Sequence, residues 1–130
     1  MADYRDHYTE IRAAGADVVA VSIDPLAKSE ALRRELRLPF PILCDIERRV
    51  VKDWGIYNPK ERGGIAKPAV FVIDRDQTVQ YSKIDDVATR VPASEIVRIL
   101  RGTGRREAQR KLYIPRLSDF VRAIRNMLRS

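Results

Sequence analysis

Residues 17–23 read DVVAVSI, and this short, β-branched, almost wholly apolar run does most to limit what the chain can fold into. A strand with one wet face alternates apolar and polar residues. A run apolar at nearly every position predicts a parallel-type strand covered on both faces by helices. Two more runs are of this kind, FPILC at 40–44 and AVFVI at 69–73. Helical patterns lie between them. Tyr4, Tyr8 and Ile11 share one helical face, and Gly15 suits the end of that helix. Leu32 and Leu36 share another, with Pro25 near its first turn. Ile46, Val50 and Trp54 recur at spacing four behind Asp45, a good N-cap. Residues 55–66, GIYNPKERGGIA, contain Asn-Pro and Gly-Gly and predict a loop. After the third strand come a DRDQ turn, the alternating arm TVQYSKI at 78–84 and a helix PASEIVRIL with Pro92 in its first turn. The expected fold class is α/β: a mainly parallel sheet ending in an antiparallel hairpin, with helices on both faces.

The 130 residues suit one domain, expected over 1–100, followed by an extension over 101–130. The net charge of +7 marks that division. Basic and acidic side chains balance in 1–100, and the last thirty residues hold nine basic and two acidic ones. In that extension Leu117, Phe120, Val121, Ile124 and Leu128 form an apolar stripe, with Arg122, Arg125 and Arg129 off it. Such a basic amphipathic helix packs on its own domain or docks on a partner, an anionic membrane or nucleic acid. The start MADYRDHYTE lacks an apolar signal core, and no run approaches the ~18 residues that span a bilayer. A cytoplasmic location is expected. One cysteine and one histidine argue against a zinc site, and no motif implies a cofactor or another metal.

The segment YRDHYTEIRAAGADVVAVSIDPLAKSEALRRELRLPFPILCD resembles the part of peroxiredoxins that follows their active-site cysteine. These are the alkyl hydroperoxide reductase and thiol-specific antioxidant family, with a thioredoxin-like fold. The likeness continues through KDWGIY and AKPAVFVIDRDQTVQY and covers about residues 3–100. It implies thiol-dependent peroxide reduction, with peroxide and a thiol reductant as partners. In that chemistry a thiolate at a helix N-terminus attacks peroxide and becomes a sulfenic acid that a second thiol resolves. The family signature is Pro, three residues, Thr or Ser, two residues, Cys, and it does not occur here. The nucleophile and the usual N-terminal strand or strands are expected before Met1, so activity is expected to be impaired. The alternative is a non-catalytic thioredoxin-fold binding module whose basic C-terminal helix docks a partner.

No residue is assigned a catalytic role with assurance; three are candidates. Cys44 is the only thiol and sits before a helix start, where the helix dipole favours a thiolate. The adjacent negative Asp45 opposes one, and the flanking PIL suits a structural thiol at a strand end. Lys67 and Pro68 precede the third strand. In the fold that the resemblance implies, a proline here is commonly cis and faces the active-site cysteine. A nearby family Arg stabilises the thiolate, a role Lys67 could fill only as a point charge. The plain alternative is a strand-entry proline beside a solvated lysine. His7 is expected to be solvated or capping, Trp54 to be core, and Asp74, Arg75 and Asp76 to form a turn without a metal.

The resemblance places the missing strand between 17–23 and 69–73. Without it, two strands of buried type lose a shared neighbour and expose backbone N–H and C=O groups. Three outcomes are expected: direct pairing of the two strands, filling of the place by the tail or another chain, or a marginal domain that self-associates through its edges.

Overall fold

The computed structural model describes residues 1–61, 63–85 and 90–102. The extension beyond 102, with its expected amphipathic helix, lies outside the described residues. The elements run α1 (Ala2–Asp6), α2 (Tyr8–Ala13), β1 (Ala20–Ser22), α3 (Leu26–Glu35), β2 (Ile42–Cys44), α4 (Arg49–Asp53), β3 (Tyr57–Asn58), β4 (Ile65–Ala66), β5 (Ala69–Ile73), β6 (Val79–Ile84) and α5 (Ala93–Leu100).

The α/β class stands, but the described strands make three separate ladders. β1 pairs parallel with β2, Ala20 opposite Ile42 and Ser22 opposite Cys44. β3 pairs antiparallel with β4 inside the segment read as a loop, so 55–66 holds a small hairpin. β5 pairs antiparallel with β6 over the expected residues. β1 and β5 do not pair with each other, so direct pairing is not the outcome.

The direction of the backbone bonds shows which edges are left. The Ala20 N–H donates to the Pro41 carbonyl at 3.0 Å and the Asp45 N–H to the Ser22 carbonyl at 2.7 Å. Ala20 and Ser22 therefore face β2, and by strand alternation the N–H and C=O of Val21 point the other way. Likewise the Asp85 N–H donates to the Pro68 carbonyl at 2.7 Å. Val70 and Val72 share that direction and face β6, whereas Ala69, Phe71 and Ile73 turn their backbone groups away from it. No described strand takes up either inner edge.

Side chains cover both faces of this interruption. On one face Val51, Trp54, Ile56 and Val79 form a buried cluster, and Ile23 at the end of β1 packs on it together with Ala69, Phe71 and Ile73. Trp54 meets the Phe71 ring edge-on, with centroids 4.8 Å apart. On the other face Tyr81, Val91, Ile96 and Ile99 form one cluster and Leu38, Phe40 and Ile42 another. Tyr4 packs on both, beside Val70 and Val72 in the first and Val18 and Ala20 in the second. The hairpin reaches both faces through an irregularity: Val72 opposes Tyr81, but Ile73 opposes Val79, which leaves Gln80 as the extra residue of a bulge.

Local details correct several sequence expectations. The first helix is two short ones that meet at His7, whose ring nitrogen lies 2.9 Å from the Asp3 carbonyl. Gly15 follows α2 with φ +87, as a helix end requires. The strand expected over 17–23 is confined to Ala20–Ser22. Asp45 does cap its helix, but from farther back. Arg48 adopts a left-handed φ of 57, and the Asp45 carboxylate accepts the N–H groups of Arg49 and Val51, each at 3.0 Å. That detour leaves Ile46 56% exposed and off the apolar stripe.

Candidate functional site

Cys44 is the last residue of β2 and is half-buried. It lines a shallow depression of about 360 Å³ with Asp45, Ile46, Glu47 and Arg49. The one guanidinium there that could face a thiolate, Arg49, is paired with Glu47 at 2.5 Å. The Asp45 carboxylate is occupied in capping α4. Among the described residues no hydrogen bond or histidine engages the Cys44 sulfur, so the arrangement offers neither a base nor a positive charge to activate it.

Lys67 and Pro68 stand between β4 and β5. The Lys67 N–H donates to the Ile56 carbonyl at 2.8 Å, and the Pro68 carbonyl accepts from Asp85, so the backbone here serves the ladders on both sides. The Lys67 side chain is exposed and makes no ion pair with a described residue. No cis peptide bond occurs among the described residues, so the bond before Pro68 is trans, against expectation. No hydrogen bond, ion pair or common depression joins Cys44 to Lys67 or Pro68. The three candidates do not form one site.

A second depression of about 230 Å³ beside α3 is lined by Ser22, Asp24, Lys28, Ser29, Leu32 and Ile42, among others. Glu35 also lines it, and two of its charges are spent on each other: the Lys28 ammonium donates to Asp24 at 2.7 Å and holds that carboxyl below its usual range. Elsewhere, among the described residues, no cluster of His, Cys, Asp and Glu is placed to hold a metal ion.

The most connected polar group is one that sequence reasoning missed. The Asp3 carboxylate accepts the Ala93 N–H at the start of α5 at 2.7 Å, across ninety residues. The Tyr4 hydroxyl donates to the Val91 carbonyl at 3.1 Å. Burial, then the charge of Asp3, raises the Tyr4 phenol above its usual range. Asp85, whose side chain is 3% exposed, accepts the Val91 N–H at 3.2 Å and lies 3.6 Å from the Lys83 ammonium. Together these groups join α1, the end of β6 and the approach to α5. Every one is spent on main chain or on an ion pair, so the network holds elements together and presents no free nucleophile or base. An acidic residue at the end of an alternating strand was the only signal for Asp85.

Comparison with known proteins gives these observations a frame. The chain is 35% identical over 79 residues to a chloroplastic peroxiredoxin Q of Triticum aestivum, covering 60% of this chain and 36% of that protein. It is 26% identical over 104 residues to peroxiredoxin 2 of Thermoplasma acidophilum, covering 75% and 51%. Its structure superposes on the AhpC of Mycobacterium tuberculosis with a TM-score of 0.69 at 26% identity, over 78% of this chain and 57% of that one. The chain thus spans only about a third to a half of these two curated relatives. The fold is the thioredoxin-like one of the peroxiredoxins. Residues 1–82 match the model of the AhpC/TSA family, and the chain therefore belongs to that family, the peroxiredoxins.

Proposed function

We propose that these 130 residues form the thioredoxin-like scaffold of a peroxiredoxin, a thiol-dependent peroxide reductase, and do not themselves turn over peroxide. Family membership supports the activity class. The observation that carries the second half is the setting of Cys44, the only thiol of the chain, at a strand end beside Glu47 and Asp45 with its one neighbouring guanidinium already paired. Reducing a peroxide takes a thiolate, a cation that steadies it and a second thiol to resolve the sulfenic acid. Lys67 stands between β4 and β5 and makes no ion pair or hydrogen bond with Cys44.

The test is hydrogen peroxide consumption with dithiothreitol as the external thiol. The expected rate equals that of dithiothreitol alone, and Cys44→Ser leaves it unchanged. Turnover well above that background and abolished by Cys44→Ser would overturn the reading.

A further inference from the structure

We propose that Asp3 and His7 form a proton-sensitive clamp on the start of α5: the protonated imidazole steadies the Asp3 carboxylate that holds α5, and loss of the proton loosens it. The inference stands apart from the peroxidase reading. It rests on the several attachments of one residue. The Asp3 carbonyl accepts the His7 backbone N–H at 3.1 Å and faces the ring Nδ1 at 2.9 Å. One oxygen of the Asp3 carboxylate lies 3.2 Å from the same Nδ1, and the other accepts the Ala93 N–H at 2.7 Å. A single side chain thus joins the ring at the break between α1 and α2 to the first residue of α5.

The chemistry of the ring decides the sign. Both atoms that face Nδ1 are acceptors, so Nδ1 carries a hydrogen. The imidazolium keeps that hydrogen and adds a positive charge beside the carboxylate. In the neutral ring the hydrogen can move to Nε2, which turns a lone pair toward two oxygens. The hydrogen bond to the Asp3 carbonyl, and after it the charges of Asp3, Glu10 and Asp6, hold the imidazole above its ordinary value of 6.5, with desolvation opposing them. The folded chain therefore keeps this proton longer than the unfolded one. The clamp is complete below pH 6.5 and is lost as pH rises through the folded value. Neighbouring elements bring other charges. Arg5 pairs with Asp6 and donates to the Leu36 carbonyl at the end of α3. α5, packed on α2, carries Glu95 paired with Arg98 and is followed by Arg101. At the end of β6 the Lys83 ammonium lies 3.6 Å from Asp85. None of these is an imidazole or a thiol. His7, the only histidine of the chain, is the side chain among them whose ordinary titration falls between pH 5 and 8.

The test uses the full, isotope-labelled chain. Nuclear magnetic resonance follows the His7 ring and the Ala93 amide from about pH 5 to about pH 9. The ring is expected to titrate above 6.5, and the Ala93 amide shift to move with the same midpoint. Exchange of the Ala93 amide is corrected for its intrinsic dependence on pH. It is then expected to be about twofold faster above that midpoint than below it, the scale of an exposed pair four residues apart. His7→Gln keeps the terminal amine and every carboxylate, and it is expected to flatten both responses. Asp3→Asn is expected to lower the midpoint of the ring. A His7 midpoint at or below 6.5, an Ala93 amide that ignores the His7 titration, or an equal response in His7→Gln overturns the clamp. The first two readings need no variant, so they decide the matter even where a substitution disturbs the fold.

Discussion

The outer and inner edges of this sheet are built differently. The outer strand β6 carries a bulge at Gln80 and the exposed Lys83, two devices that keep a sheet from growing. At the opposite border, β2 is three residues long, begins after Pro41 and stops at Asp45. The inner edges, at Val21 and at Ala69, Phe71 and Ile73, carry no charged residue within the strands themselves. Among the described residues the interruption between β1 and β5 is bridged by side chains, and its strength therefore depends on a few residues that sit across it.

Trp54 offers the harshest way to test that statement. It is 9% exposed and anchors the cluster shared by Ile23 and β5. Trp54→Ala is expected to cost about 3–5 kcal/mol, enough to unfold much of the chain at room temperature. Urea titrations followed by circular dichroism check it. If β1–β2 and β5–β6 instead melt in two separate steps before or after the change, the bridged view fails.

Asp3→Ala removes the carboxylate that ties α1 to the start of α5. A loss of about 1 kcal/mol is expected, the usual worth of a helix-capping side chain, and Asp3→Asn should recover most of it. A loss below a few tenths would mean that α5 holds its place without α1.

Tyr4 covers the same interruption from the other face and gives a pH signature. Its phenol is raised above the ordinary value of 10.0, chiefly by burial. The unfolded chain then gives up this proton more readily than the folded one. The associated stability is complete below pH 10 and declines as pH rises above it toward the folded value. Because Tyr4 is only partly buried, the loss between pH 9 and 11 should stay below about 1 kcal/mol. Thermal melts across that range should show it, and Tyr4→Phe should flatten the slope.

The long apolar and alternating segments were legible in the sequence. AVFVI and its return arm pair as their periodicity predicts, and Trp54 is core. The likeness of residues 3–100 to peroxiredoxins identified the fold, and the structure brings Cys44, Lys67 and Pro68 into no common site. Positions where short-range geometry overrides periodicity were not legible. Ile46 keeps the spacing of a core residue, yet the left-handed Arg48 swings it outward. The His7 break and the two-residue ladder at 57–58 and 65–66 are likewise too short for any periodic signal. The Asp3–Ala93 and Tyr4–Val91 bonds join residues about ninety positions apart, and no local pattern encodes such contacts.

The bulge has one more effect. Without Gln80 as a supernumerary residue, Val79 and Tyr81 would lie on one side of the hairpin. With it, Val79 enters the Trp54 cluster and Tyr81 the cluster beneath α5. One short stretch of β6 therefore supplies a buried side chain to each of two cores, with the exposed Gln80 between them.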